Sequence, residues 1–229
     1  MKDNAYNERV NIMSLHNIKA VVFDMDGVIF DTETIMRNMW AEAGVKYNLP
    51  NIENVILTCI GGNANRTEQI LKAEYGEDFD YWAIKNVMSK EFHDRYDGGR
   101  LPMKDGVVET LEYLTDKGYR LALATSTRES SVIPEITDAG LKKYFEIIVC
   151  GDHVSKSKPD PEIFLTACEK LGVNPEEAVG IEDSYNGIRA LKAAGMIPVM
   201  VPDLLPATEE MVNLAYTICD NLRKVQDLL

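Results

Sequence analysis

Two aspartates separated by one residue, Asp24 and Asp26, follow an apolar run and precede Gly27. In an extended segment, residues i and i+2 lie on the same side, so both carboxylates could face one ligand. One carboxylate could attack as a nucleophile while the other transfers a proton. Aspartate and glycine are also common in ordinary strand-to-loop turns, so this segment alone leaves catalysis and a simple turn equally open.

Hydroxyl groups and a lysine follow two other apolar runs. The hydroxyls and backbone N–H groups of residues 125–127 could hold phosphate oxygens, although such clusters also occur in ordinary loops. Lys158 precedes Pro159, which restricts the lysine backbone and would help to aim the ammonium group. Lys156 is a competing candidate, so the residue types alone do not choose between the two lysines.

Two adjacent acids, Glu182 and Asp183, follow a further apolar run. Carboxylate oxygens suit a hard cation such as Mg²⁺, while Asp183 or Ser184 could instead cap the next helix. If all of these segments meet, their carboxylates and a phosphate dianion would repel one another. A divalent cation and Lys158 would relieve that repulsion, so the sequence predicts Mg²⁺ and a phosphoryl group in one pocket.

The apolar runs that precede these residues predict the strands of a parallel sheet. The runs cover residues 18–24, 119–124, 145–150, 178–181 and 197–201, with 216–218 as an edge strand. Helical patterns over 130–139, 161–171 and 184–194 alternate with them. This alternation is typical of an α/β fold with both sheet faces covered, in which ligands bind at the carboxyl ends of the strands.

The pattern changes between the first strand and residue 119. Segments 32–47, 64–75 and 81–96 are predicted to be helical, and 105–117 is a further amphipathic helix. The sequence therefore predicts an all-helical insert over residues 32–101, with hinges near Asp31 and residues 98–100. The α/β core then consists of residues 17–31 and 102–229, after a tail over residues 1–16.

Composition restricts the partners of this 229-residue chain. It has 37 Asp and Glu against 24 Lys and Arg, a formal net charge of −13, which argues against nucleic acid and anionic membrane surfaces. The chain has neither a long apolar run nor an N-terminal signal peptide, so a cytoplasmic location is expected. We also expect a monomer. Four scattered cysteines indicate buried thiols rather than a zinc site or disulfides: Cys59, Cys150, Cys168 and Cys219.

Four segments, in this order, resemble the four motifs of the haloacid dehalogenase superfamily: residues 24–31 (DMDGVIFD), 124–127 (ATST), 157–164 (SKPDPEIF) and 180–188 (GIEDSYNGI). The chain is most similar to the beta-phosphoglucomutase-like phosphatase branch, which carries a helical cap after the first strand. The likeness spans roughly residues 18–201. It implies a Rossmann-like parallel sheet core, with the cap closing over a small phosphorylated metabolite.

The resemblance also implies a role for each matching residue. Asp24 would be the nucleophile that forms an aspartyl-phosphate, and Asp26 would protonate the leaving oxygen and then activate water. Thr125 would hydrogen-bond the phosphoryl group, and Lys158 would pair with the nucleophile and the phosphate. The residues implied for Mg²⁺ are Asp24, the backbone carbonyl of Asp26, Glu182 and Asp183. The residues implied for the substrate are Gly27, Ser126, Thr127, Arg128 and, weakly, Arg66 on the cap.

The same resemblance separates related reactions. Dehalogenases of the superfamily lack an acid two residues after the nucleophile, so Asp26 favours phosphoryl transfer. Mutases of this branch carry a cap histidine where this chain has Met36, which favours a phosphatase over a beta-phosphoglucomutase. Arg128 lies where the mutases bind a second phosphate, which favours a phosphosugar ligand. Phosphonate hydrolysis needs a cap lysine, for which Lys46 and Lys72 are available; a catalytically silent binding module is the alternative of another class.

Overall fold

The computed structural model describes residues 15–62 and 64–229, so the predicted tail lies almost wholly outside the described residues. Six strands form one sheet: β1 (Ala20–Phe23), β2 (Arg120–Ala124), β3 (Ile147–Val149), β4 (Ala178–Glu182), β5 (Ile197–Met200) and β6 (Thr217–Ile218). The α-helices are α1 (Thr32–Tyr47), α2 (Ile52–Leu57), α3 (Ala64–Tyr75), α4 (Tyr81–Tyr96), α5 (Val107–Asp116), α6 (Glu129–Asp138), α7 (Glu162–Leu171), α8 (Tyr185–Ala194) and α9 (Glu209–Leu214).

The sheet is parallel throughout, and its strand order is β3-β2-β1-β4-β5-β6. The first strand of the chain therefore lies in the interior of the sheet, between β2 and β4. Phe23 pairs in register with Leu123 on one side and with Ile181 on the other. Because the three strands end at the same level, the residues that follow them meet at one edge of the sheet.

Both faces of the sheet are covered, as the apolar runs predict. Side chains alternate along β1: Val21 and Phe23 belong to one buried cluster, whereas Ala20 and Val22 belong to another on the opposite face. Helices α5 and α6 contribute to the first cluster, and α7 and α8 to the second. The predicted fold class, a Rossmann-like α/β core with helices around a parallel sheet, is confirmed.

The bounds of the predicted elements agree with the structure to within a few residues. The helices expected over 32–47, 64–75 and 81–96 have those bounds, and 216–218 contains β6. The sequence pattern did not predict α2, which is six residues long, less than two turns, and gives too few positions for an apolar repeat to be recognised. The acidic pair Glu209 and Glu210 predicts a helix start, and α9 begins there.

Four helices, α1 to α4, lie between β1 and α5 in the chain. The two chain segments that lead into and out of this helical region run side by side: Asp31 N donates to Pro102 O at 2.9 Å, and Lys104 N donates to Ile29 O at 2.9 Å. These hydrogen bonds hold the two segments together next to the edge of the sheet. The division into a core and a cap at residues 31/32 and 101/102 stays a prediction.

Other features of the described residues concern the membrane and the cysteines. None of the described helices is both long and apolar enough to cross a membrane.

All four cysteines are buried and free, in keeping with their prediction as buried thiols. Burial raises the pKa of the Cys168 thiol to about 11, so this thiol is not poised for nucleophilic attack.

The contact between α8 and β4 gives a testable prediction. A Cβ on Gly180 would lie 2.0 Å from the Leu191 side chain, so the helix can approach the strand only because residue 180 is glycine. Gly180→Ala should lower the free energy of unfolding by about 1–3 kcal/mol, measured by urea denaturation. Ala193→Ser, on the exposed side of α8, is the matched control and should change it by less than about 0.5 kcal/mol. Equal stabilities of Gly180→Ala and the wild type would contradict this packing.

Candidate active site

Lys158 is the centre of a buried ion cluster at the carboxyl edge of the sheet. Its Nζ lies 2.6 Å from Asp24 Oδ1 and 2.8 Å from Glu182 Oε1, and it also donates to Ala124 O at 3.2 Å. Only 4% of the lysine side chain is exposed. The competing candidate, Lys156, is exposed and pairs with Asp160. The buried lysine of this cluster is therefore Lys158, the one that the resemblance implies.

Three buried carboxylates lie together here, and Lys158 contacts two of them. Oxygen atoms of Asp24, Glu182 and Asp183 all lie within 4.8 Å of one another. Burial raises the pKa of Asp24 to about 7 even though Lys158 opposes the shift. Burial and the neighbouring carboxylates of Glu182 and Asp24 raise the pKa of Asp183 well above its usual range. Although burial favours a neutral lysine, Asp24 and Glu182 raise the pKa of Lys158, so the ammonium stays charged.

Local structure fixes the two acids after β4. Ser184, rather than Asp183, caps α8, because its Oγ accepts a hydrogen bond from Gly187 N at 3.1 Å. The Ser184 backbone N–H donates to Glu182 Oε2 at 2.7 Å and holds that carboxylate in place. Gly27 has φ +79°, and a Cβ there would lie 2.4 Å from Asp183 Oδ2. Asp183 can therefore approach the turn after β1 only because residue 27 is glycine.

Asp26 lies beside this cluster and is held by hydroxyl groups. Thr32 Oγ1 donates to Asp26 Oδ1 at 2.7 Å, and Thr127 Oγ1 donates to Asp26 Oδ2 at 2.7 Å. Thr125 Oγ1 donates to the same Oδ2 at the longer distance of 3.3 Å. The side chain of Asp26 is thus oriented from the core loop and from the first residue of α1. The sequence did not identify Thr32 as a site residue, because threonine is common at the start of helices.

The remaining residues that the sequence singled out lie around this centre. Ser126 and Arg128 are exposed, on the loop between β2 and α6. Gly151 N donates to Thr127 O at 2.9 Å and ties that loop to the chain after β3. Arg66 lies exposed on α3, where its side chain approaches Gly62. The cap-side loop contacts the core through Gly61 O, which accepts a hydrogen bond from Asn186 Nδ2 at 3.0 Å.

A second ion cluster, which the sequence did not predict, lies at the start of the helical region. Lys104 Nζ lies 2.6 Å from Asp203 Oδ1 and 3.2 Å from Asp31 Oδ1. Lys104 thus links the two chain segments that lead into and out of the helical region to the loop after β5. The second oxygen of Asp203, Oδ2, is buried and has no hydrogen-bond partner among the described residues. No local motif signals this cluster, because its members lie 73 and 99 residues apart in the chain.

The two lysines considered for phosphonate chemistry are engaged elsewhere. Lys46 Nζ lies 3.8 Å from Glu91 Oε1, and Lys72 Nζ lies 2.9 Å from Glu68 Oε1. Hydrogen bonding to Glu68 raises the pKa of Lys72, which opposes the neutral amine that Schiff-base formation requires. The structure gives neither lysine a feature that favours phosphonate hydrolysis.

Comparison with known proteins agrees with this geometry. Residues 21–201 match the family model described as haloacid dehalogenase-like hydrolase. The chain is 37% identical over 182 residues to a phosphorylated carbohydrates phosphatase of Thermotoga maritima, covering 78% of this chain and 82% of the relative. It is 34% identical over 194 residues to a phosphoglycolate phosphatase of Thiobacillus denitrificans, covering 81% and 83%. A solved structure of a putative beta-phosphoglucomutase from Thermotoga maritima superposes with a TM-score of 0.72 at 32% identity, covering 93% of this chain and all of that one.

The buried ion cluster predicts a large, pH-dependent effect of removing Lys158, the one cation that contacts it within residues 15–62 and 64–229. Lys158→Met should lower the free energy of unfolding by about 3–5 kcal/mol near neutral pH, because it leaves buried carboxylates unpaired. The loss should shrink as the pH falls toward about 5, where the raised pKa of Asp24 lets its carboxyl take up a proton and become neutral.

Urea denaturation in a chelator checks this prediction, so that no cation substitutes for the lysine. Lys156→Met is the matched control, since its ion pair with Asp160 is exposed, and it should change stability by less than about 1 kcal/mol. Equal effects of the two substitutions would show that Lys158 does not hold the buried carboxylates.

Proposed function

The chain belongs to the haloacid dehalogenase-like hydrolase family, and on that premise we propose that it is a Mg²⁺-dependent phosphatase acting on a small phosphorylated metabolite. The single observation that supports this most strongly is the buried cluster of Asp24, Glu182 and Asp183 around Lys158, with Asp26 oriented beside it. These residues offer a nucleophilic carboxylate, a second acid for proton transfer and a lysine that can pair with phosphate, and the proposed reaction uses all three.

In the proposed reaction, Asp24 attacks phosphorus. A bond forms between its carboxylate oxygen and phosphorus as the bond from phosphorus to the ester oxygen breaks, and Asp26 donates a proton to the leaving alcohol. Water then attacks the phosphorus of the aspartyl-phosphate, Asp26 takes the water proton, and phosphate leaves with Asp24 regenerated. Hydroxyl donors at Thr32 and Thr127 support this part of the proposal, since they hold the Asp26 carboxylate in one orientation.

The donor set fits a divalent cation. Asp24, Glu182 and Asp183 offer three hard oxygen ligands in a buried place where one lysine cannot balance their charge. We propose that these residues hold Mg²⁺, together with the backbone carbonyl of Asp26. A bound Mg²⁺ would supply charge compensation for the phosphoryl oxygens. Lys158 would share that task through its contacts with Asp24 and Glu182.

Sugar phosphates are the substrate class that we propose. The relatives include a phosphorylated carbohydrates phosphatase, and Arg128 lies exposed beside the Thr125–Thr127 loop, where it could meet a polar substrate. Beta-phosphoglucomutase activity is the second candidate, favoured by the solved structure of that description. Met36 on α1 offers no proton-transfer group to the cap side, which favours hydrolysis. Thr125, Ser126, Gly27 and Arg66 keep their proposed roles in phosphoryl and substrate binding.

Replacement of the proposed nucleophile tests the reaction directly. Asp24→Asn keeps the shape of the side chain but removes the attacking charge, so phosphate release from p-nitrophenyl phosphate should fall by about a thousandfold or more. Asp116→Asn, on the exposed surface of α5, is the control and should retain wild-type activity. Full activity in Asp24→Asn would overturn its role as the nucleophile.

Binding of Mg²⁺ should depend on pH with a defined sign. Without the ion, burial raises the pKa of Asp24 to about 7, so part of this carboxyl is protonated at neutral pH. Since Mg²⁺ needs ionised carboxylates, its affinity should rise between about pH 6 and pH 8, by roughly tenfold per unit below the pKa for each proton displaced. Calorimetric titration in two buffers of different ionisation enthalpy measures both the affinity and the proton release. A pH-independent affinity would contradict the proposed ligand set.

A further inference from the structure

Asp31 stands at the start of the first helix but does not cap it. It occupies the N-cap position of α1, yet among the described residues its side chain accepts no hydrogen bond from the helix backbone. Aspartate is one of the residues that most often cap a helix in this way. Here Asp31 Oδ1 instead lies 3.2 Å from Lys104 Nζ. The carboxylate of Asp31 therefore serves the contact with Lys104 rather than the start of its own helix.

Lys104 is in turn held by a second acid, Asp203, in the loop after β5. The two side chains approach to 2.6 Å, and only 7% of the Asp203 side chain is exposed. Asp203 Oδ2 has no hydrogen-bond partner within residues 15–62 and 64–229. Although burial favours a neutral amine, hydrogen bonds to Asp203 and Asp31 raise the pKa of Lys104, so the ammonium stays charged. Since an unpaired buried charge is costly, Lys104 cannot leave Asp203 without a large loss of free energy.

The contacts of Lys104 lead to the proposed acid. The two chain segments that carry Asp31 and Lys104 are hydrogen-bonded to each other through their backbones. Thr32 directly follows Asp31, and its Oγ1 donates to Asp26 Oδ1 at 2.7 Å. A continuous series of contacts thus runs from the loop after β5 to the carboxylate of Asp26.

The orientation of Asp26 matters because this residue transfers a proton twice in the proposed reaction. It protonates the leaving oxygen, and it later takes a proton from the attacking water. Two of its hydroxyl donors, Thr125 and Thr127, belong to the loop after β2, whereas Thr32 belongs to α1. A displacement of about 1 Å in a reacting group can lower a rate by about a hundredfold. The rate of proton transfer therefore depends on where α1 begins.

We propose that Lys104 is a positioning residue for proton transfer: by holding Asp31 against the core, it places the Thr32 hydroxyl where that group orients Asp26. The inference rests on the proposed phosphatase function, and it adds a residue that acts through others and not by contact with the reacting atoms. Loss of Lys104 should impair the steps that need Asp26 and spare the step that does not. The size of the loss should therefore depend on the leaving group.

Two aryl phosphates of similar size separate these steps. p-Nitrophenyl phosphate releases a weakly basic phenolate that leaves without a proton, whereas phenyl phosphate releases a more basic one that needs the proton of Asp26. In Lys104→Met, kcat/KM on phenyl phosphate should fall by about 10- to 100-fold, and kcat/KM on p-nitrophenyl phosphate should stay within about threefold of the wild type. The sugar phosphate that the wild type hydrolyses best should behave like phenyl phosphate, since its alkoxide also needs a proton.

The second half of the reaction provides a further readout. Hydrolysis of the aspartyl-phosphate needs Asp26 to take the water proton, whatever the leaving group was. This step follows departure of the leaving group, so it limits kcat but does not enter kcat/KM. On p-nitrophenyl phosphate, kcat and KM of Lys104→Met should therefore fall together. A smaller fraction of folded enzyme would instead lower kcat on every substrate and leave KM unchanged.

Further variants test the route from Lys104 to Asp26. Thr32→Val removes the hydroxyl and should give the same pattern as Lys104→Met, and the double variant should lose no more than the larger single loss, because both changes act on one contact. Lys104→Arg keeps the charge and should retain most of the wild-type rates. Asp31→Asn keeps the buried pair of Lys104 and Asp203 intact, so it tests the same contact in a variant whose buried charge stays paired.

Lys19→Met is the matched control. It removes a lysine whose exposed ion pair with Glu177 lies at the amino end of β1, away from the proposed site. All rates of this variant should equal those of the wild type.

The outcomes that would overturn the inference differ from those that would overturn the phosphatase. Equal falls of kcat/KM on both aryl phosphates would mean that Lys104 only supports the fold. Additive losses in the double variant would mean that Lys104 does not act through the Thr32 hydroxyl. Unchanged rates in Lys104→Met and Asp31→Asn would remove the role of Lys104 and keep the phosphatase. A wild-type protein that releases phosphate from none of these esters would overturn both.

Discussion

An imbalance of buried charge governs this site: three buried carboxylates lie together at the ends of β1 and β4, and one lysine contacts two of them. Lys158 satisfies Asp24 and Glu182 at short distance, yet Asp183 stays within 4.8 Å of both without a cation of its own. Burying such a group is costly unless opposite charge is supplied, and the raised pKa values of Asp24 and Asp183 express that cost. A ligand that brings positive charge would relieve this cost and keep the carboxylates ionised, which is why a divalent cation and a phosphoryl group are the proposed occupants.

The strand order explains how residues far apart in the chain reach this one place. Since β1 is flanked by β2 and β4, the turn after β1 lies between the Thr125–Thr127 loop and the acids after β4. Close packing refines the position: Gly27 admits Asp183, and the Ser184 N–H fixes Glu182. The four inserted helices begin directly after the turn that carries Asp24 and Asp26. Their first residue, Thr32, therefore joins the site through its hydrogen bond to Asp26.

The core of the site could be predicted because its residues follow recognisable apolar runs. Asp24, Thr125 and Glu182 lie at strand ends that periodicity identifies, and parallel strands bring such ends together. Residue types alone left Lys158 and Lys156 open, and the resemblance to a family motif over residues 157–164 chose Lys158. The coordinates add that the side chain of Lys158 is buried whereas that of Lys156 is exposed.

Residues from other parts of the fold were less accessible to prediction. Thr32 and Asp203 are ordinary helix-start and loop residues in sequence. Only the folded chain brings Thr32 to Asp26 and Asp203 to Lys104. Arg66 depended on a loose match of spacing, and the structure places it exposed on α3 beside Gly62. Short helices such as α2 gave no periodic signal. Contacts between elements distant in the chain thus account for most of what the sequence did not reveal.

The most direct test of the central claim is to identify the residue that carries the phosphoryl group during turnover. Borohydride reduces an acyl phosphate, so quenching the enzyme with it in the presence of substrate and Mg²⁺ would convert a phosphorylated aspartate to homoserine. Tryptic cleavage isolates residues 20–37, which contain Asp24, Asp26 and Asp31, and tandem mass spectrometry separates the three positions. The account predicts homoserine at position 24 alone, and only with substrate present. Homoserine at position 26 or 31, or none at all during active turnover, would contradict it.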